Sequence, residues 1–200
     1  MNIILLVLAV LAWGVVHSLT ASLGAKEWAR RNLGERSMRY YRFAYNVFSV
    51  ISFLPILWLM VALPDRVLYQ IPAPWVYLSL AGQLFAVVIL VVGVLQTGPL
   101  SFIGLRQLFE GEERSSQLIT SGLYRWVRHP LYTAGLLFIW LTPVMTQNTL
   151  VVYSAATIYI LVGAMFEERK LEREFGAAYR EYKATTPMLI PGLDFGRNKS

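Results

Sequence analysis

The stretch from Gly122 to Phe138, GLYRWVRHPLYTAGLLF, joins a cationic segment to a long apolar one. It places Arg125, Arg128 and His129 directly before Pro130, and no residue from Pro130 to Phe166 carries a formal charge. A run of about 20 mostly apolar residues can cross the hydrocarbon core of a bilayer as a helix. This run is longer than one crossing needs, and TPVMTQN (142–148) divides it. We therefore predict a helical hairpin with spans at 130–145 and 148–166.

Three further blocks without a formal charge lie upstream, at 3–25, 43–64 and 70–105. They predict spans at 3–24, 43–63 and 75–97. The first block lacks the positively charged start of a signal peptide, so we expect it to be retained. With 56% hydrophobic and 15% charged residues, the chain is predicted to be an all-α integral membrane protein. We expect one membrane domain over 1–200, with about five transmembrane helices and a cytoplasmic amphipathic helix at its C-terminus.

The distribution of basic residues predicts the orientation. Of the 18 Lys and Arg, 17 fall in segments 26–42, 106–128 and 169–199, and Arg66 is the exception. Short basic loops stay on the cytoplasmic side, so we expect a multi-pass protein of the bacterial inner (cell) membrane, with its N-terminus outside and its C-terminus in the cytoplasm. The net charge of +6 then fits loops that face anionic lipid, and requires no nucleic acid.

The residue inventory narrows the possible chemistry. The chain has no cysteine and two histidines, which excludes thiolate nucleophiles and argues against a metal site. Polar groups at membrane depth are costly, so those that occur there are candidates for function. Three clusters qualify.

The first cluster is SGLYRWVRHP, which ends at Pro130, a residue suited to the first turn of a helix. We expect the free backbone N–H groups at this helix start to favour an anionic group. The alternative is an interfacial anchor, in which the arginines reach toward water and Trp126 and Tyr132 form an aromatic belt.

The second cluster is FEERKLEREFGAAYREY, residues 166–182. We predict that it continues the last span into the cytosol as one charged helix. Helical spacing would place four residues on one face of it: Leu171, Phe175, Tyr179 and Tyr182. Glu167 and Glu168 stand where the apolar span ends, so they are less easily explained as solvated charges.

The third cluster is HSLTAS, residues 17–22, in the inner half of the first predicted span. His17 could be satisfied by hydrogen bonds between helices or could line a cavity. Both interpretations fit the sequence.

Taken in order, these motifs resemble the C-terminal half of the isoprenylcysteine carboxyl methyltransferase superfamily. The resemblance covers residues 118–192: an Arg-His-Pro-x-Tyr box, a membrane hairpin, paired glutamates and Phe-Gly-x-x-Tyr-x-x-Tyr. The N-terminal half, with His17-Ser18 and LGERSMRYYRFAYN, is more similar to the bacterial NnrU-like and methanethiol methyltransferase-like branches. The resemblance implies a membrane methyltransferase that uses S-adenosylmethionine, with a cofactor-binding half at 106–200 and a possible substrate side at 1–105.

The resemblance also implies which side chains meet the cofactor. Glu167 matches the glutamate that holds it, and Glu168 stands beside that residue. The other implied contacts are Gln117, Leu118, Ile119, Tyr124, Arg128, His129, Pro130 and Tyr132. Aromatic faces attract a sulfonium cation, and a carboxylate can take an ammonium group, so these residue types suit the cofactor.

One departure bears on the methyl acceptor. In prenylcysteine enzymes, an arginine thought to meet the substrate carboxylate lies one helical turn before the first cofactor glutamate. Gly163 occupies that position here, and a buried carboxylate without a partner is costly. We therefore expect the acceptor to be a small or lipophilic thiol, with His17 as the catalytic base that helps to form the thiolate.

Three alternatives remain at this point. One is methylation of prenylcysteine carboxyl groups or of phospholipid amines. Another is a non-enzymatic NnrU-like membrane protein. The third is an NADPH-dependent membrane reductase, although Leu131 stands where those enzymes typically have Asn.

The charge distribution generates a prediction about topology. A reporter fused after Ser200 should be cytoplasmic, and one inserted in loop 64–74 should be periplasmic, because the basic residues avoid that loop. Alkaline phosphatase and green fluorescent protein fusions measure the two locations. A cytoplasmic signal from loop 64–74 would contradict the five-span arrangement.

Overall fold

The structure is a computed structural model that describes residues 2–110 and 117–193; Arg114, Arg197 and Lys199 lie outside the described residues. Its helices are α1 (Asn2–Ala21), α2 (Leu23–Leu33), α3 (Ser37–Ala62), α4 (Trp75–Thr97), α5 (Pro99–Ile103), α6 (Leu105–Glu110), α7 (Pro130–Trp140), α8 (Gln147–Phe175) and α9 (Ala177–Thr185). A 3-10 helix spans Gly122–Arg125, and two short strands, β1 (Val67–Gln70) and β2 (Val144–Thr146), pair with each other.

The predicted class, an all-α membrane protein, is confirmed. Within the described ranges, four helices are long and apolar enough to cross a membrane: α1, α3, α4 and α8. Many of their large apolar side chains are exposed, as expected for surfaces that face lipid rather than water.

The fourth predicted span, 130–145, is shorter than expected. Helix α7 has 11 residues, about 16 Å at 1.5 Å per residue, against a hydrocarbon core of about 30 Å. Pro143 explains the early end, because it has no N–H to continue the helix. The Pro143 carbonyl accepts a hydrogen bond from the Ile71 N–H at 2.8 Å. The reporter after Ser200 therefore also tests whether the α7 segment crosses the membrane.

The described residues form two compact units. The first unit comprises 2–69, 98–110 and 145–156. Its core joins α1, α3 and the start of α8 through four buried side chains: Leu6, Val10, Ile56 and Val152. Asp65 accepts hydrogen bonds from the backbone N–H groups of Arg66 (2.8 Å) and Asn148 (3.0 Å), and thus satisfies donors at the start of α8. Burial raises the pKa of Asp65, but its hydrogen bonds to Thr146 and these backbone groups outweigh burial and lower it.

The second unit comprises 70–97, 117–144 and 157–193, and its centre is the packing of α4 against α7. Two α4 glycines allow this approach. A Cβ on Gly82 would lie 2.5 Å from Cδ1 of Leu141, and one on Gly93 would lie 2.7 Å from Cδ2 of Leu131. Ser79, also on α4, donates a hydrogen bond to the Leu141 carbonyl.

The predicted continuous helix over 166–182 is wrong. Helix α8 ends at Phe175, and Gly176 adopts a φ of 57°, a conformation that glycine reaches without the steric cost of a side chain. The chain then restarts as α9. The four residues predicted to share one face are therefore divided between two helices, and Tyr179 and Tyr182 are buried on α9.

The apolar part of α8 ends before the helix does. No residue from 148 to 166 is charged, and the four that follow are Glu167, Glu168, Arg169 and Lys170. We take the membrane-spanning part of α8 to end at Phe166, because about 20 apolar residues already match the hydrocarbon core. The rest of α8 and all of α9 lie beyond that core.

Candidate functional site

The centre of the site in the second unit is the buried carboxylate of Glu168, whose side chain is 8% exposed. Its Oε1 accepts a hydrogen bond from Nε of Arg128 at 2.6 Å and lies 3.3 Å from Nε2 of His129. Nζ of Lys183 lies 3.4 Å from Oε2. Because a carboxylate only accepts, Nε2 of His129 carries the hydrogen of that contact. Both oxygens of Glu168 are thus engaged by protein groups.

These partners determine the charge state of Glu168. Burial alone raises the pKa of a carboxyl group, because it disfavours the charged form. Hydrogen bonds from His129 and Arg128, together with the charge of Arg128, outweigh burial and hold the Glu168 pKa at about 2, below its ordinary 4.5. Glu168 is therefore ionised at physiological pH.

Arg128 connects three elements of the unit. Besides Glu168 on α8, its guanidinium donates hydrogen bonds to the backbone carbonyls of Lys183, at 3.1 Å, and Thr186. Those carbonyls belong to the end of α9, where a helix has unsatisfied acceptors and favours a cation. Arg128 therefore ties the segment before α7 to the far end of α9.

A short segment, residues 186–189, runs alongside the start of α7, and we call it the strap. The backbone N–H groups of Arg128 and His129 donate to the carbonyls of Pro187 (2.9 Å) and Met188 (3.1 Å). The Thr133 hydroxyl donates to the Leu189 carbonyl at 2.7 Å. The amides of Arg128 and His129, which precede α7, are therefore already paired with the strap. The expectation that the N–H groups of the first turn of α7 favour an anionic group stays a prediction.

Beside this buried pair lies a second, more accessible carboxylate. Glu167 is 44% exposed, and its Oε2 accepts a hydrogen bond from the Tyr132 hydroxyl at 2.7 Å. The rings of His129 and Tyr132 stack with centroids 5.3 Å apart and an interplanar angle of 15°. Nδ1 of His129 lies 3.8 Å from the same Glu167 oxygen. A half-exposed anion and two stacked aromatic rings are thus brought together.

Three tyrosines surround the two carboxylates. Burial, and then the charge of Glu167, raises the pKa of Tyr124. Burial is also the largest influence on Tyr182, raising its pKa to about 12; its hydroxyl donates to the Tyr124 carbonyl at 2.5 Å. All three phenols remain neutral at physiological pH, since burial raises the pKa of Tyr179 as well.

Tyr179 is a residue of this cluster that the sequence analysis did not assign to the site. Its side chain is fully buried, and its hydroxyl has no hydrogen-bond partner among the residues that the structure describes. An unsatisfied buried hydroxyl costs roughly 1–3 kcal/mol, so this atom would gain from a polar ligand group or a water molecule. The sequence signal was available, because the tyrosine follows the glycine break by three residues, but an unbroken helix was assumed.

The remaining predicted contacts lie in the same unit. Gln117 is exposed, and Leu118 and Ile119 are half-buried, in the irregular segment before the 3-10 helix that carries Tyr124. Pro130 is buried as the first residue of α7.

His17 lies in the first unit, on α1. Nε2 of its ring is 2.6 Å from the hydroxyl of Tyr45 on α3. Trp13 stacks on the same ring with centroids 4.6 Å apart. Of the two interpretations left open by the sequence, the hydrogen bond between helices is the one observed.

The fold and site together define a polytopic α-helical membrane protein with a carboxylate–aromatic cluster beyond the end of its last long span. The sequence model described as "NnrU protein" matches residues 5–193, and the chain belongs to this family. The predicted NnrU-like membership is thereby confirmed.

Named relatives extend the comparison. Methanethiol S-methyltransferase 2 of Bradyrhizobium diazoefficiens is 34% identical over 192 residues, covering 94% of this chain and 72% of that protein. Methanethiol S-methyltransferase of Crocosphaera subtropica is 34% identical over 186 residues, covering 88% and 69%. The enzyme of that name from Pseudomonas deceptionensis is 46% identical over 71 residues, 36% of this chain and 27% of that enzyme. No solved structure matches the chain.

The geometry predicts that the adjacent glutamates differ in role. Glu168→Gln should destabilise the protein, because it leaves Arg128 as a buried cation without its counterion, a loss of about 3–5 kcal/mol. Glu167→Gln should leave stability close to that of the wild type. Thermal unfolding of both variants in detergent measures the difference.

The pH dependence supplies a second measurement of the same prediction. Since folding lowers the Glu168 pKa, its stabilising contribution is complete above pH 4.5 and is lost as the pH falls toward 2. The gap between wild type and Glu168→Gln should therefore narrow over that range. Equal unfolding temperatures at pH 7 would contradict a structural role for Glu168.

Proposed function

We propose that this protein is an integral membrane methyltransferase that transfers a methyl group from S-adenosylmethionine to a small thiol such as methanethiol. The observation that carries the proposal is the similarity to methanethiol S-methyltransferases, which extends over 94% of the chain in the example from Bradyrhizobium diazoefficiens. Because the similarity runs through both halves of the sequence, it supports a shared activity rather than a shared cofactor segment alone.

The residues around Glu167 fit the cationic part of the cofactor. When bound, S-adenosylmethionine supplies a methyl group on a sulfonium cation, beside an amino acid moiety and an adenosine. The half-exposed carboxylate of Glu167 can accept hydrogen bonds from the ammonium group. The face of Tyr132, whose ring stacks on His129, can attract the sulfonium. The Tyr179 hydroxyl is a further polar atom of this unit, and within the described ranges 2–110 and 117–193 no group hydrogen-bonds to it.

Arg128 and Glu168 have a different role in this proposal. The carboxylate of Glu168 is saturated by protein donors, and the Arg128 guanidinium already serves Glu168 and two backbone carbonyls. We propose that they position His129 and α9 rather than contact the cofactor. An exposed arginine on the 3-10 helix, Arg125, is then a better candidate for the cofactor carboxylate.

The surroundings of Gly163 support a neutral or soft acceptor. No arginine or lysine occurs between Pro130 and Phe166. A Cβ placed on Gly163 would meet no described atom within 4 Å outside the nearby backbone of its own helix. A carboxylate acceptor would find no cation supplied by this part of α8. A thiol needs none, because it is a weak hydrogen-bonding group.

We also propose that His17 accepts the proton of the thiol. A thiolate is the reactive form of a thiol, and an imidazole is well suited to take up a proton near neutral pH. The imidazole of His17 is held by Tyr45 and Trp13, so its position is defined.

For the location, the multi-pass membrane assignment rests on the four long apolar helices. We propose that the membrane is the bacterial inner membrane, with the Glu167 cluster on the cytoplasmic side, where a water-soluble cofactor is available. The basic residues of segments 106–128 and 169–199 support this orientation.

Binding and turnover test the proposal on the purified protein in detergent. Calorimetry should detect binding of S-adenosylmethionine and none of NADPH. Methyl transfer from labelled S-adenosylmethionine should occur with methanethiol and longer alkanethiols, in preference to a prenylcysteine or phosphatidylethanolamine. Glu167→Gln and His129→Ala should abolish cofactor binding while the protein stays folded.

A matched substitution controls for nonspecific effects of charge removal. Glu181 is exposed on α9, so Glu181→Gln should bind the cofactor as the wild type does. Equal losses in Glu181→Gln and Glu167→Gln would contradict the assignment of the site. Preferred turnover of the prenylcysteine or the lipid amine would contradict the thiol acceptor.

His17 is tested by the pH dependence of turnover. His17→Ala should lower kcat/KM for methanethiol by roughly 100-fold or more, the usual contribution of a general base. The loss should be largest at low pH, where solution thiolate is scarcest. An active His17→Ala variant with an unchanged pH profile would exclude the base role and leave the methyltransferase assignment intact.

A further inference from the structure

The hydroxyl of Tyr179 on α9 is the polar atom of the second unit that the ion pairs and hydrogen bonds of the site leave unexplained. The side chain is fully buried, and no group in the described part of the chain hydrogen-bonds to the hydroxyl. Tyr182, three residues later, is also buried, but its hydroxyl donates to the Tyr124 carbonyl. The two rings meet edge to face with centroids 6.0 Å apart. Two neighbouring tyrosines of one helix thus differ in whether the hydroxyl is satisfied.

The Tyr179 hydroxyl lies near the two carboxylates. Burial is the largest influence that raises the pKa of Tyr179, and the charge of Glu168 raises it further. The charge of Arg128 acts in the opposite direction, and the charge of Glu167 adds to the increase. The phenol therefore stays neutral, and a neutral phenol can both donate and accept a hydrogen bond. Such a group suits the hydroxyls and ring nitrogens of a ligand.

A buried hydroxyl without a partner lowers the stability of the folded protein, because its hydrogen bonds to water are lost and not replaced. The same atom increases the affinity for a ligand that supplies the missing partner, since binding then removes the unfavourable contribution and forms a bond. The hydroxyl has no exposed surface of its own. A ligand that binds at the half-exposed Glu167 must therefore displace a neighbouring side chain to reach it.

The adenosine moiety is the part of the cofactor for which the residues around Glu167 provide no partner. Glu167 suits the ammonium group, Tyr132 the sulfonium and Arg125 the carboxylate. The ribose hydroxyls and adenine nitrogens are neutral, so the negative charge of Glu167 does not repel them. We infer that Tyr179 is a further cofactor-binding residue, whose hydroxyl hydrogen-bonds to a polar group of the adenosine moiety of S-adenosylmethionine. The inference rests on the proposed function.

The signs of two effects separate this role from a structural one. Tyr179→Phe keeps the ring and removes only the hydroxyl. It should raise the unfolding temperature of the protein by about 2–4 °C, because the unsatisfied group is gone. It should also weaken the binding of S-adenosylmethionine by roughly five- to tenfold, because the hydrogen bond in the complex is lost. A hydroxyl with a purely structural role would not raise stability while it lowers affinity.

Tyr182 provides the matched control for stability. Tyr182→Phe removes a hydroxyl that already has a partner, the Tyr124 carbonyl, so it should lower the unfolding temperature. Thermal unfolding in detergent, without added cofactor, measures both variants. A Tyr179→Phe protein that unfolds at a lower temperature than the wild type would overturn the inference, because the Tyr179 hydroxyl would then have a partner within the protein.

Calorimetry on the full-length protein in detergent measures the affinity for S-adenosylmethionine and for methylthioadenosine, which keeps the adenosine and lacks the amino acid moiety. Tyr179→Phe should weaken both ligands by the same factor. Glu167→Gln should lose S-adenosylmethionine and keep methylthioadenosine, since the analogue has no ammonium group. Unchanged affinity of Tyr179→Phe, or a loss confined to S-adenosylmethionine, would overturn the inference alone. Failure of the wild type to bind S-adenosylmethionine would refute the proposed function and, with it, this role.

Discussion

The buried pair of Arg128 and Glu168 is the interaction on which the arrangement of the site depends. Two charges taken out of water are stable only if each has a full set of partners. Glu168 obtains them from Arg128, His129 and Lys183, and Arg128 from Glu168 and the carbonyls at the end of α9. Meeting these needs brings the start of α7, the polar end of α8 and the end of α9 to one place.

That constraint also explains why two adjacent glutamates differ. Successive residues of a helix point about 100° apart, since 3.6 residues make a turn. If Glu168 turns inward to Arg128, Glu167 turns toward Tyr132 and the surface, where it is 44% exposed. The Glu168 carboxylate is fully occupied by protein donors. The Glu167 carboxylate lies beside aromatic rings and can still accept hydrogen bonds from a ligand. The site is therefore a consequence of how the end of the last long helix is held.

The class of fold could be predicted from charge alone, because uncharged blocks of sufficient length have few alternatives to a membrane helix. The ends of elements were less predictable. Pro143 shortened α7 and Gly176 divided the last helix; both residues are visible in the sequence, but apolar composition and helical spacing argued for continuity there. Breaks of this kind depend on local backbone chemistry, which hydropathy does not measure.

The composition of the site was predictable only in part. The box around His129 and the paired glutamates could be recognised as motifs, whereas their pairing could not, because Arg128 and Glu168 are 40 residues apart and helical spacing says nothing across that distance. The strap could not be foreseen either. Its contribution comes from the carbonyls of Pro187, Met188 and Leu189, and any residue type can supply a carbonyl.

Polar side chains in the two units find hydrogen-bond partners in two ways, either within their own helix or on another side chain. Thr20 and Ser49, on helices that face lipid, donate their hydroxyls to carbonyls of their own helices, which satisfies them locally and leaves nothing for a ligand. Tyr45 instead bonds to the imidazole of His17, and Glu167 bonds to the phenol of Tyr132. Both partners are side chains, which can also hydrogen-bond to other groups.

A carboxylate substrate would need a buried cation, and Arg128 is already committed to Glu168. A thiol loses little when it leaves water, because it forms only weak hydrogen bonds. The free-energy cost of burying the acceptor thus favours the thiol on the same grounds that govern the protein's own side chains.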